Sequence, residues 1–289
     1  MNTKDKVGLA LGSGSARGWA HIGIIEALCE LGINIHCVSG CSSGALIGAV
    51  YAAGHLDDFK KWLLGLTKRE MASLLDLNIS GGGMLAGKKI MKWLQQFGLD
   101  KTFEDLSIPF AAVATDLHNG REIWLNSGSL EPAIRSSIAL PGLFKPFFHQ
   151  EKWLVDGGLV NPVPVSTCRS LGADIVLAVN LNHDLMFDLP VSAKELESRS
   201  LIRKGIDNVV QRIFGKESEP GYYDVLSLSI KIMQDRITRA RAAGDPADIC
   251  FEPSLMAFSM IDFDKAESLI KIGHECVHKN IEKINKLLF

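Results

Sequence analysis

Two hydrophobic rhythms alternate along the chain. Val7 to Leu11 is an uninterrupted apolar run of strand length, the pattern of a strand buried on both faces. From Ala16 to Leu31 the apolar positions fall at 16, 19, 20, 24, 27, 28 and 31, close to a helical period, and Gly32 follows as a stop. Ile33, Ile35, Cys37 and Val38 form a second short strand, and Ala45 to Ala53 a small-residue helix with Gly54 as its cap. Strand, helix, strand, helix is the opening of a parallel sheet.

The same reading continues downstream. Helices are expected over Leu56–Thr67, Lys88–Phe97 and Leu130–Ile138, the last stopping before Pro141-Gly142. Residues 79–83 read as a flexible link. Phe110–Ala114 is a strand with which Arg121–Leu125 can pair, Trp153–Val155 a strand ending in Asp156, and Asp174–Asn180 another. Residues 185–221 are charged and irregular, with Pro190, Pro220 and Gly221, and suit a lid, an interaction surface or a mobile linker. Val225–Ala243 and Asp264–Leu288 read as long amphipathic helices. The fold class expected is α/β, three layers (α/β/α) around a mostly parallel central sheet. One domain is expected over 1–289, with 185–250 its least typical part, a mobile or helical insertion.

Composition narrows the function classes. With 289 residues and 47% hydrophobic side chains, a sizeable core is available. A formal net charge of −2 gives no bulk pull toward nucleic acid or an anionic membrane. Cys29, Cys37, Cys41, Cys168, Cys250 and Cys276 are scattered without a C-x-x-C pair, which suits free thiols in a reducing compartment. No apolar run approaches the ~18 residues of a membrane span. A cytoplasmic location is expected, with a lipid substrate requiring only peripheral membrane contact.

The chemistry centres on Gly40-Cys41-Ser42-Ser43-Gly44, a G-x-S-x-G motif between a strand and a helix. Such an elbow lifts Ser42 out of the fold at a helix N-terminus, where free N–H groups favour developing negative charge; the alternative is a buried turn serine without chemistry. Cys41 holds the x position and reads as a packing residue. The loop Gly12-Ser13-Gly14-Ser15-Ala16-Arg17-Gly18 also joins a strand to a helix. As a dinucleotide fingerprint it fails, because Arg17 stands where the third glycine belongs and the next strand offers no acid for a ribose. The competing reading is an oxyanion hole formed by the backbone N–H groups of Gly14 and Ser15, with Arg17 as a structural anchor. The run from Gly82 to Lys88 approaches a P-loop but continues with Lys89 where Ser or Thr is needed. Asp156-Gly157-Gly158 puts a carboxylate at a strand end, with Asp116 as a rival acid. His183 follows at a position where a triad histidine can stand. His274 and His278 are four apart on a terminal helix, with no evident third metal ligand in the sequence.

Four blocks carry a family resemblance: G-S-G-S-A-R-G at 12–18, G-C-S-S-G-A at 40–45, A-I-R-S-S-I-A-L-P-G-L-F-K-P at 133–146 and D-G-G at 156–158. In residues, order and spacing the chain resembles the patatin-like phospholipases of the compact bacterial cytoplasmic type. The likeness extends through 172–180 and 261–266. It implies a Ser–Asp dyad, with Ser42 as nucleophile and Asp156 as base. It also implies an oxyanion hole in the glycine loop, lipid acyl esters as substrates, and no metal or organic cofactor. Many relatives carry three successive glycines where this chain has Ser13-Gly14-Ser15, a change that keeps the backbone donors. A general carboxylesterase, thioesterase or acyltransferase with the same dyad is the alternative, and a non-catalytic regulatory protein on this scaffold is a third class. Head group, acyl length and oligomeric state are not encoded in these motifs.

Overall fold

The computed structural model describes residues 5–74, 83–85, 87–183 and 222–289. The first half runs β1 (Val7–Leu11), α1 (Ala20–Glu30), β2 (Ile35–Cys41), α2 (Ser43–Ala52), α3 (Leu56–Gly65), α4 (Lys68–Leu74), β3 (Gly83–Leu85) and α5 (Lys88–Leu94). Then come β4 (Phe110–Asp116), β5 (Glu122–Leu125), α6 (Leu130–Ser137), β6 (Gly142–Phe144), β7 (Phe147–His149) and β8 (Lys152–Asp156). The last part holds α7 (Val165–Ser170), β9 (Ile175–Val179), α8 (Tyr222–Gly244), β10 (Ile249–Phe251), α9 (Ala266–Lys279) and α10 (Ile281–Leu288).

An eight-stranded sheet has the order β10-β9-β1-β2-β4-β8-β7, with β5 also on β4. From β10 to β4 every pairing is parallel; β5, β7 and β8 pair antiparallel. The sheet is therefore mixed, with a parallel half that holds both glycine-rich loops. Helices cover both faces. In β1, Leu9 and Leu11 join the larger core with α1, α2 and α9, while Ala10 faces the smaller cluster of Cys37, Val165, Cys168, Val176 and Ala178 under α7. That alternation is what a period of two gives a doubly covered strand. All of α2 but Tyr51 is buried, as expected for a helix apolar on every side.

The register of β4 fixes the layout of the site. Ala112 and Val113 pair with both β2 and β5, so these strands flank β4 on opposite edges. Ala114 and Thr115 pair with both β5 and β8, so β8 shares the edge of β2. Cys41 lies opposite Val113 and Asp156 opposite Ala114. The last residue of β2 and the last residue of β8 thus meet head-on at consecutive positions of β4.

Several expectations need correction. The expected helix from Ala16 begins as a 3-10 turn, Ser15–Trp19, because the Ala16 N–H is tied 3.0 Å away to the Met260 carbonyl. The closing helix breaks at Asn280, whose side-chain amide donates to the Cys276 carbonyl at 2.9 Å and competes with the backbone ladder. The expected link at 79–83 reaches into β3 at Gly83, which pairs with β6; its earlier residues, with Gly82 and Ala86 of the P-loop-like run, lie outside the described residues. The lid, surface or linker expected over 185–221 also lies outside them. From 222 onward the segment is the long helix α8 and then β10, an edge strand of the main sheet.

Candidate active site

Ser42 holds φ 56° and ψ −122° between the end of β2 and the start of α2. A non-glycine residue in that region costs on the order of 1–3 kcal/mol and persists only where its surroundings impose it. Here they do. The Ser42 N–H donates to Ser137 Oγ at 3.0 Å, and the Ser137 hydroxyl donates to the Val113 carbonyl at 2.6 Å. The Ser42 carbonyl accepts from Ala45 and Leu46 as α2 begins. The flanking glycines let backbones touch: a Cβ on Gly40 would lie 2.5 Å from Ala45 Cα, and one on Gly44 2.2 Å from the Leu11 carbonyl oxygen.

Asp156 is fully buried. Its N–H donates to the Ala139 carbonyl at 3.0 Å, and its carbonyl accepts from Thr115 Oγ1 at 2.8 Å. Oδ1 accepts the Gly158 N–H at 2.7 Å and lies 3.9 Å from Cys41 Sγ. Oδ2 has no hydrogen-bond partner among the described residues. Burial pushes the carboxyl up to about 6; the nearby Ser42 hydroxyl, the Gly158 N–H and the Cys41 thiol each pull it partly back. Ser42 Oγ is near enough to steady the charged carboxylate but does not close a hydrogen bond of ordinary geometry with it. In free enzymes such contacts are often long and tighten only around substrate.

The glycine loop abuts the elbow: a Cβ on Gly18 would lie 2.3 Å from that of Ser43. Its backbone donors divide into two sets. Gly12 donates to the Val179 carbonyl, Ser13 to Pro162, Ala16 to Met260 and Arg17 to Gly14. The N–H groups of Gly14 and Ser15 are left without a protein acceptor among the described residues. Ser15 also has a positive φ, 51°. Arg17 is buried and donates to Asn182 Oδ1 at 2.6 Å, and Asn182 Nδ2 donates to the Ser13 carbonyl at 3.1 Å, so Arg17 anchors the loop. His21 lies 2.8 Å from the Gly12 carbonyl through Nε2; burial pushes its pKa down to about 4, so a neutral ring donates there from Nε2.

The rivals are otherwise engaged. Both Asp116 carboxylate oxygens serve its own turn, accepting from the His118 N–H at 2.9 Å and Asn119 Nδ2 at 3.0 Å. Burial, then the charge of Asp156, raises the Cys41 thiol well above its ordinary range, so it stays protonated. No histidine bonds to Asp156 or Ser42 among the described residues. Three neighbours have no role in the sequence reading: Ser137 under the elbow, Asn182 behind the loop, and Gln234 of α8, which crowds Gly158. Ser137 lies in the 133–146 block, so a signal existed for it. For Gln234 there was none. Metal-ligating side chains gather elsewhere, at Glu30, His274 and His278.

A strained serine at a helix mouth, a buried carboxylate at a nearby strand end and two N–H groups without an acceptor among the described residues are the kinds of groups that serine acyl hydrolysis uses. Comparison with known proteins gives the family and the enzyme class. The patatin-like phospholipase family model matches residues 9–169, more than half of the chain. An uncharacterized NTE family protein of Mycobacterium tuberculosis is 32% identical over 97% of this chain and 92% of its own length. Lysophospholipase NTE1 of Pyricularia oryzae is 30% identical over 96% of this chain, and patatin-like phospholipase domain-containing protein 7 of Mus musculus 26% over 95%. The chain spans only 18% and 20% of those two longer proteins. VipD from Legionella pneumophila shares the fold, with a TM-score of 0.50 over 96% of this chain and 67% of its own, at 15% identity. The chain belongs to the patatin-like phospholipase family. It is a lipid acyl hydrolase, an enzyme acting on carboxylic esters.

Proposed function

We propose that the chain releases fatty acids from phospholipids or lysophospholipids through an acyl-enzyme on Ser42, with Asp156 as the base. The observation that carries this is the strained Ser42 near a buried carboxylate whose Oδ2 has no hydrogen-bond partner among the described residues. Asp156 takes the Ser42 hydroxyl proton as Oγ attacks the ester carbonyl carbon. The Gly14 and Ser15 N–H groups receive the oxyanion. As the carbonyl reforms, the bond to the alcohol oxygen breaks and that oxygen takes the proton from Asp156. Water, deprotonated by Asp156, then attacks the acyl carbon; fatty acid leaves and the proton returns to Ser42 Oγ.

The lysophospholipase name of the Pyricularia relative supports a single-chain lipid as one substrate. The supply of lipid goes with peripheral contact through an aromatic pair, Phe148 and Trp153, which face each other across β7 and β8 with ring centroids 5.2 Å apart, both more than half exposed. Trp153 stands three residues before Asp156 on the same strand, roughly 10 Å at strand rise. Such rings suit the interfacial layer of a lipid surface. Among the described residues no helix is long and apolar enough to cross a membrane. A cytoplasmic location fits the six free thiols. We read the chain as one domain, since its main sheet draws strands from residue 7 to residue 251.

The test is product analysis after incubation with a mixed phospholipid and lysophospholipid extract. Free fatty acid with the matching deacylated glycerophospho compound is the expected result. Turnover confined to short soluble esters or thioesters would replace lipid hydrolysis with general esterase or thioesterase chemistry.

A further inference from the structure

The sequence left His274 and His278 as a helical pair without a partner; the fold brings one from 244 residues away. Glu30, the last residue of α1, places Oε2 2.9 Å from His274 Nε2. The His274 and His278 rings lie beside each other, centroids 4.8 Å apart. One ligand atom from each of Glu30, His274 and His278 lies within 4.8 Å of the others. An ion pair between His274 and Glu30 explains one of these contacts. It does not explain the second imidazole, which would repel the first if both were protonated.

The platform beneath is rigid. Helices α1 and α9 touch backbone to backbone, since a Cβ on Gly23 would lie 1.9 Å from the Ile270 carbonyl oxygen and one on Gly273 2.0 Å from that of Ala20. Ligand positions on such a crossing are set by the main chain, and only side-chain rotation remains. A tetrahedral ion with bonds of about 2.0–2.1 Å needs ligand atoms ~3.4 Å apart, so closure asks for a little over ~1 Å from side chains that are exposed or half-exposed. Two imidazoles and one carboxylate are a donor set for zinc-type ions, not for the oxygen-loving Ca²⁺ or Mg²⁺, and they leave one position for water.

We propose that Glu30, His274 and His278 form a binding site for one zinc-type divalent ion that ties α1 to α9. The site stands ten residues along α1 from Ala20, roughly 15 Å from the glycine loop at helical rise. It is a structural clamp and takes no part in ester cleavage.

The experiment uses the full chain stripped with EDTA, titrated with Zn²⁺ by calorimetry and scanned by thermal denaturation. One equivalent should bind, and the melting temperature should rise with saturation. The double variant His274→Ala/His278→Ala should bind at least tenfold more weakly and lose the thermal shift, while hydrolysing ester at the wild-type rate. Glu30→Gln should weaken binding several-fold. Co²⁺ bound to the wild type should give a spectrum without thiolate charge transfer. No saturable binding by the wild type, equal binding by the double variant, or thiolate absorption from neighbouring Cys29 would each overturn the assignment. Loss of hydrolysis in the folded double variant would overturn its separation from catalysis.

Discussion

Burial pushes the Asp156 carboxyl up to about 6, and with Asp156 as the proposed base that gives the pH dependence of turnover a definite sign. In the proposed mechanism only the ionised carboxylate can take the Ser42 proton. On a soluble ester, kcat/KM should therefore rise with pH, bend near 6 and level off above it; a profile flat from about pH 5 to 7 would exclude Asp156 as the base. The same shift makes a stability prediction. The folded pKa lies above the unfolded value of 3.8, so the favourable contribution is present below about 4 and is lost as pH rises through 6. At pH 8 the charged carboxylate costs on the order of 3 kcal/mol, from ~1.4 kcal/mol per unit. Asp156→Asn should lower turnover about a thousandfold or more yet melt several degrees higher than the wild type at pH 8, an advantage that vanishes near pH 4. Normal turnover in Asp156→Asn with a dead His183→Ala would put a histidine in its place. His21 acts in the opposite direction: its folded pKa of about 4 is depressed, so its contribution is present above about 6.5 and fades as pH falls toward 4. Comparing Asp156→Asn with wild type at each pH cancels that effect.

At the scale of elements, the elbow depends on a hydroxyl outside it. Ser137, at the end of α6, bridges the Val113 carbonyl and the Ser42 N–H. Ser137→Ala leaves a buried donor unpaired, which costs roughly 1–3 kcal/mol. It should lower kcat about tenfold or more with KM little changed; unchanged kcat would show that the strained turn holds without it. This bridge marks the limit of what the sequence discloses. Among the described residues, periodicity located β1, β2, β4, β8, β9 and the long helices, because buried strands and amphipathic helices write their burial into residue order. Ser42, Asp156, Gly14 and Ser15 stood out because each sits where a strand ends beside glycines. The three-residue strands β3, β6, β7 and β10 were not legible, since three residues carry no period. The head-on meeting of β2 and β8 along β4, the screening of Asp116 by its own turn, and Glu30 beside His274 are all products of tertiary pairing, which local pattern does not contain.

For the molecule as a whole, a net charge of −2 gives no bulk attraction to an anionic bilayer, so the proposed docking rests on exposed aromatic rings. Phe148→Ser/Trp153→Ser should lower hydrolysis of vesicle lipid several-fold while sparing a soluble short-chain ester, and vesicle binding by the wild type should change little with salt. Equal losses on both substrates would mean that these rings shape the pocket instead. Fold, site and proposed chemistry converge on one covalent bond, between Ser42 Oγ and an acyl carbon. The most direct measurement is labelling of the intact protein with a fluorophosphonate, followed by peptide mapping. The wild type should carry the label on Ser42, Ser42→Ala should carry none while melting cooperatively, and Asp156→Asn should label far more slowly. Label on Ser43 or Cys41, or undiminished labelling of Ser42→Ala, would contradict the account.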